Sequence, residues 1–228
     1  MGSALLRRCY EPYETKLFLE SISPGMVAVD CGANIGIYTC LASGAVGPTG
    51  KVYAFEPEPR NFDCLTETIR LNRLENVQPE RLALSNRNEE ANLFLSDINM
   101  GDHRLGGTDE KRASVRVQTR TLDSYWPGTL PKIDVLKMDV QGAEGLVLQG
   151  MAKTIAASNK LKIFMEFWPC GLIRCGTSPE GLLEELSALG FSIQIINQDK
   201  GELQPLRDVA ELLANTHEDS SFDLFLER

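Results

Sequence analysis

Four residues with chemical capacity fall within seven positions, Asp30-Cys-Gly32-Ala-Asn34-Ile-Gly36, directly after the apolar run MVAV. Gly32 can take a tight turn and let a ligand approach bare backbone. Asn34 stands where it would cap a following helix, and the N–H groups at that helix start can receive an anion. Glu56 closes the next apolar run, KVYAFE, 26 residues after Asp30. Its two carboxylate oxygens match the two hydroxyl donors of a ribose. Asp139 ends IDVLKMD, and Glu166 stands near the end of KIFMEF.

The anion at that turn is either a pyrophosphate or a carboxylate. A dinucleotide would call for GxGxxG. The turn offers only two glycines four apart, and GAVGPTG (44–50) comes after the helix. An adenosine-type ligand without a diphosphate remains, and S-adenosylmethionine meets that description. Its methionine carboxylate would take the anion place, and its sulfonium charge would suit an acidic rim. The competing reading is that Asp30 and Glu56 merely end strands and bond to loop amides. Four acids at one rim repel each other unless something cationic or hydrogen-bonding sits between them.

Those positions need a scaffold, and the hydrophobic pattern supplies it. Strands are expected at 26–30, 51–56, 133–139, 162–167, 191–196 and 221–227. Helices are expected at Tyr10–Ser21, Ile35–Ala45, Pro59–Arg73, from about Ala143, and at Pro179–Leu189. Leu82–Leu84 reads as the end of a third strand whose start Pro79 confines to an edge or irregular position. ANLFLS (91–96) and SVRVQT (114–119) are short alternating strands around a polar stretch. Apolar strands alternating with amphipathic helices predict a mostly parallel sheet covered on both faces. In such a sheet the ligand crevice lies outside the strands' carboxyl ends, where Asp30, Glu56, Asp139 and Glu166 fall.

Bulk properties exclude several partners. A net charge of −9 argues against a nucleic-acid backbone, which needs a dense basic footprint. No apolar run approaches the ~20 residues that span a bilayer, and the opening MGSALLRRCYEPYE carries no h-region. Six cysteines show no CxxC and no zinc spacing with the two histidines. Reduced thiols in a cytoplasmic protein are the expectation.

DCGANIG (30–36), YAFEPEPRNF (53–62) and LKMDVQGAE (136–144), in that order, resemble the FkbM family of S-adenosylmethionine-dependent methyltransferases. The likeness runs from about YEP (10–12) to FMEFWP (164–169), and more weakly to the chain end. It implies an α/β, Rossmann-like class I methyltransferase fold. This is a single three-layer domain with a mostly parallel seven-stranded sheet and one antiparallel strand, FSIQII and SFDLFLE forming the last hairpin. It implies that Asp30, Gly32, Asn34 and Gly36 line the methionine end. Glu56 would grip the ribose, and Pro57 and the Ala83–Leu84 backbone would lie near the adenine. Glu11 would close over the methionine moiety from an N-terminal helical segment, 1–24, that covers the cofactor site. Residues 25–228 would form the methyltransferase domain, with an insertion near 91–120. Where the family commonly reads DVEGAE, this chain has Gln141 in place of the first acid. Gln141 keeps hydrogen-bonding capacity without charge and is not assigned proton transfer. Glu144, in the first turn of the next helix, favours the dipole and reads as structural.

An alcohol is a poor nucleophile until its proton leaves, so a hydroxyl acceptor calls for a general base. Asp139, His103 and Glu166 compete for the role, and Asp139 fits equally well as a group orienting the cofactor amine. Histidine suits a base at neutral pH, and His103 lies in a polar insertion able to fold over the pocket. Arg104 and Trp168 are candidates to clamp substrate. MEFWP lacks the Asp-Asn pair of a magnesium site, so no metal is expected. The expected activity is O-methylation of a hydroxyl on a sugar, glycan or natural product. The alternatives are a catalytically silent cofactor-binding module and, disfavoured by the missing glycine fingerprint, a nicotinamide-dependent oxidoreductase.

Overall fold

The computed structural model describes residues 10–96, 99, 101–105, 112–214, 216–218 and 220–228. Residues 1–9 of the expected N-terminal segment, and much of the polar stretch before SVRVQT, lie outside them.

After α1 (Pro12–Glu20), strand and helix alternate: β1 (Val27–Cys31), α2 (Ile37–Val46), β2 (Lys51–Phe55), α3 (Pro59–Asn72) and β3 (Val77–Glu80). Next come β4 (Ala83–Leu84), β5 (Glu89–Phe94), β6 (Arg104–Leu105), β7 (Ser114–Arg120) and a short α4 (Leu122–Tyr125). Alternation resumes with β8 (Val135–Met138), α5 (Glu144–Gln149), α6 (Ala152–Ala157), β9 (Lys162–Phe167), α7 (Pro169–Arg174) and α8 (Pro179–Ala188). The chain closes with β10 (Ser192–Asn197), β11 (Glu202–Pro205), α9 (Val209–Ala214) and β12 (Phe222–Glu227). Local chemistry sets several starts. Pro59 and Pro179 open helices whose preceding residues, Glu58 and Ser178, accept from the third amide on, at 2.7 and 3.2 Å, satisfying N–H groups a helix start leaves orphaned.

The main sheet runs β11-β10-β12-β9-β8-β1-β2-β3, with β3, β2, β1, β8 and β9 parallel and β12 antiparallel between β9 and β10. The expected mostly parallel sheet with an inserted antiparallel strand is therefore present. β11 adds an eighth strand at the edge, pairing antiparallel with β10. Buried side chains alternate between the faces. Ala28, Val52, Val135, Phe164 and Phe225 pack against Phe18 of α1, Tyr38 and Ala42 of α2 and Leu65 of α3. Val29, Leu136, Met138, Ile163 and Leu224 pack against Val147, Ile155, Leu172 and Leu186 on the other side. Three layers result.

Two expectations shift. Ala83–Leu84 does not end the third strand. It forms β4 in a second sheet, β4-β7-β5-β6, while β3 takes the main sheet's edge, where Pro79 is tolerated. Asn34 does not cap α2. Gly36 holds that place with φ 93°, and Asn34 itself is left-handed at φ 49°. Among the described residues no helix is long and apolar enough to cross a membrane.

Candidate active site

A cleft of about 250 Å³ opens at the carboxyl ends of β1, β2 and β8, where strand order reverses direction. Of the residues singled out in the sequence, Glu11, Asp30, Gly32, Asn34, Glu56 and Pro57 line it. So do Ala83, Leu84, His103, Asp139 and Glu166. Gly36 does not. Its Cα faces α3, where an added Cβ would lie 2.8 Å from Leu65 Cδ1. Arg104 and Trp168 also lie off the cleft.

The turn after β1 is tightly bonded. Gly32 and Ala33 N–H both donate to Phe55 O at 3.0 Å, Asn34 N–H donates to Glu56 Oε2 at 2.8 Å, and Gly36 N–H donates to Ala33 O. These amides already have acceptors, so the anion cradle read from the sequence is smaller than expected. Gly32 earns its glycine by closeness. At φ +83° its Cβ would sit 2.0 Å from Asp139 O, which brings the β1 and β8 ends together at the cleft floor.

Glu56 bonds to loop amides, as the competing reading had it, and also faces the cleft. Its Oε1 accepts from Glu58 N–H and its Oε2 from Asn34 N–H, both at 2.8 Å, while the carboxylate still lines the cleft. Burial pushes it up to about 7, against those two amides. Asp30 is buried beneath Thr39, whose hydroxyl donates to Oδ2 at 2.5 Å. Burial raises Asp30 to about 6, with Thr39 and Lys137 opposing. Glu11 sits in a left-handed conformation, φ 42°, and accepts from Tyr38 OH at 2.7 Å. Its carboxyl is raised, chiefly by burial.

The cation that such a rim requires is Lys137, which the sequence reading missed. Its position in β8 faces Asp30 on β1 and Phe164 on β9. A buried apolar side chain there would contribute about 1.5–3 kcal/mol, so a lysine at this point has another purpose. Lys137 Nζ pairs with Glu14 Oε1 of α1 at 2.9 Å and lies 4.8 Å from the Tyr38 ring centroid. Burial alone would lower Lys137, but Glu14, Asp139 and Glu11 hold it well above its ordinary value. The signal was visible: the one charged residue inside VLKM.

Gln141 links two of the acids, its Nε2 donating to Asp139 Oδ1 at 2.8 Å and to Glu166 Oε2 at 2.6 Å. Burial, then Asp139 and Glu144, raise Glu166 far above the carboxylate range. Glu144 turns inward and binds its own loop, accepting from Val140 and Gly142 N–H at 3.2 and 3.3 Å. His103 Nδ1 accepts from Ser96 N–H at 3.1 Å, and burial depresses its pKa. Arg104 lies over Trp168 at 4.4 Å and pairs with Asp102 at 2.6 Å, while Trp168 Nε1 donates to Glu218 O. This stack pins the His103 segment to the end of β9.

The cleft thus offers four acids, Asp30, Glu56, Asp139 and Glu166, an already paired lysine, and the apolar side chains of Leu84, Leu93 and Leu105. That donor set fits a ligand with a net positive end, a vicinal diol and a flat apolar part.

Comparison with known proteins gives the same direction. The Methyltransferase FkbM domain model matches residues 30–193. Hexuronic acid methyltransferase AglP of Haloferax volcanii is 30% identical over 82% of this chain and 72% of its own. Methyltransferase sdnD of Sordaria araneosa is 27% identical over 78% and 76%. Among solved structures, SMU.1697c from Streptococcus mutans in complex with SAH aligns at TM-score 0.54, with 13% identity over 94% of each chain. The fold is that of the Rossmann-like methyltransferases, and the chain belongs to the FkbM methyltransferase family, with S-adenosylmethionine as its cofactor.

Proposed function

We propose that the protein transfers a methyl group from S-adenosylmethionine to a hydroxyl of a sugar, glycan or natural product. The observation that carries this reading is the carboxylate rim, four acids around one cleft whose lysine already has a partner. When bound, S-adenosylmethionine supplies an electrophilic methyl carbon on a positively charged sulfur. Glu56 would receive the ribose hydroxyls, since each oxygen takes one amide and keeps a second lone pair. Pro57, Ala83 and Leu84 would flank the adenine, with Leu93 and Leu105 completing the wall. Asp30, Gly32, Asn34, Gly36 and Glu11 would shape the methionine end, Gly36 by setting the turn instead of by contact.

Asp139 is the base this geometry favours. Gln141 fixes Oδ1, leaving Oδ2 for the acceptor's proton. His103 is a weaker base, because its Nδ1 lone pair is engaged and the neutral ring then carries its proton on Nε2. As a donor it would orient an acceptor oxygen. A site lined by acids favours a neutral hydroxyl over a carboxylate as the reacting group, and the hexuronic acid in the Haloferax relative's name supports a sugar. Positioning alone can supply several kcal/mol of the barrier. The setting we propose is cytoplasmic.

Radiolabelled methyl transfer onto a panel of hydroxylated sugars and metabolites tests the reading, with Asp139→Ala and His103→Ala alongside. Asp139→Ala is expected to lose turnover by roughly 10²–10⁴-fold and His103→Ala by less. Full turnover in both variants would overturn the assignment. Cofactor binding without transfer to any panel member would favour a silent binding module.

A further inference from the structure

On the α1 side of the sheet, acids stand in a row across three strands. Asp139 follows β8, Glu166 lies on β9, and Asp223 is its register partner on β12. Gln141 Nε2 gives one hydrogen to Asp139 and one to Glu166, so a single uncharged amide bridges two carboxyls that both line the cleft. An amide orients such a pair but cannot neutralise it. Gln141 does this from a left-handed φ of 54°, a setting that non-glycine residues hold only when their surroundings enforce it. The other groups facing the two acids are Tyr10 and Glu11 from the lead-in to α1, Asp30 and Cys31 from β1, Glu144 from α5, Asp223 from β12, and Lys137 from β8. Lys137 is the lone cation there among the described residues, and Glu14 already holds it.

We infer that Glu166, tethered to Asp139 through Gln141, holds a proton in the free protein and releases it when a cationic ligand enters the cleft. The inference rests on the sulfonium cofactor proposed above as that ligand. On binding, the O–H bond of the Glu166 carboxyl breaks, the proton passes to buffer, and the resulting carboxylate faces the incoming charge. S-adenosylhomocysteine keeps the ammonium and the carboxylate, which balance each other, but lacks the positive sulfur, so it favours ionised Glu166 less than the methyl donor does. Glu166 would therefore distinguish methyl donor from spent product. Burial with Asp139 and Glu144 raises Glu166 in the direction this requires.

Calorimetry of the full chain decides it, using S-adenosylmethionine and S-adenosylhomocysteine separately, near neutral pH, in buffers of different ionisation enthalpy. The donor is expected to release on the order of one proton more than the product. Glu166→Gln is expected to bind both with that difference gone. Equal proton counts for the two ligands overturn the inference, and so does an undiminished difference in Glu166→Gln. Should that variant not fold, the wild-type affinity ratio of the two ligands against pH settles the matter. It is expected to climb with pH by up to about tenfold per unit below the Glu166 titration, and a flat ratio overturns the inference. Failure of the wild-type chain to bind either ligand would instead sink the proposed function, and the inference with it.

Discussion

Lys137 Nζ lies 2.9 Å from Glu14 Oε1, with both side chains almost fully buried, 4% and 1% exposed. A strand-borne cation and a helix-borne acid thus meet beneath the cleft. Charge holds α1 on the sheet together with Phe18, which packs edge-on against Tyr38 and Phe164 at 5.0 and 5.3 Å.

Removing one partner of a buried pair leaves an uncompensated charge, at a cost of about 3–5 kcal/mol. Lys137→Met is expected to fall in that range. Glu14→Gln should cost less, because Asp139 and Glu11 still face the lysine. Denaturant unfolding of both variants against wild type checks the order, and a more stable Lys137→Met would refute it.

Asp30, raised to about 6, and Glu56 and Glu144, each raised to about 7, all owe the shift first to burial. In the unfolded chain these carboxyls ionise near pH 4, so between about pH 4 and 7 the folded state binds more protons. Their contribution to stability is present in full below pH 4 and is lost as pH rises through 6 to 7. Glu11, Glu166 and Asp223 are raised as well and act in the same sense, whereas His103, depressed by burial, acts in the opposite sense below its unfolded pKa. Thermal unfolding of the ligand-free protein should give a higher midpoint at pH 5.5 than at pH 8.

Glu56→Gln should weaken S-adenosylhomocysteine binding roughly 10–100-fold, the equivalent of a lost charge-assisted hydrogen bond of about 1.5–3 kcal/mol. The amide also turns an N–H toward one of the two backbone N–H groups that Glu56 now accepts. Titration calorimetry reads the loss, and unchanged affinity would remove Glu56 from the cofactor site.

Arg104→Ala should loosen the wall that carries His103 while leaving the main sheet intact. The guanidinium is held by Asp102 at 2.6 Å and stacked on Trp168, contacts worth about 0.5–2 kcal/mol for the stacking alone. Hydrogen exchange should speed up at residues 101–105 and stay unchanged in β1 and β8. Uniform acceleration would show a general rather than a local role.

The acids at the strand ends were legible because apolar runs locate the carboxyl rim without any knowledge of packing. Asp30, Glu56, Asp139 and Glu166 follow from that rule, and all four meet in one cleft. Lys137–Glu14 was not legible as a pair, since it joins a helix to a strand more than a hundred residues away. Only the lysine inside IDVLKMD hinted at it. Ala83–Leu84 read as a strand end because the run is apolar, but its partner is β7, not β2. Asn34 has a capping side chain, yet the left-handed turn moves the helix start to Gly36. β11 alternates too weakly, and is too exposed, to announce itself.

Gln198, in the turn after β10, accepts from the N–H groups of Tyr13 and Glu14 at 3.0 and 3.4 Å through its Oε1. The opening helix is therefore finished by a residue 185 positions downstream. On the ribosome, this contact cannot form until the chain has been made as far as Gln198. Contacts between residues so far apart in the chain are slow to close, so the seating of α1 on the turn after β10 cannot be an early folding event.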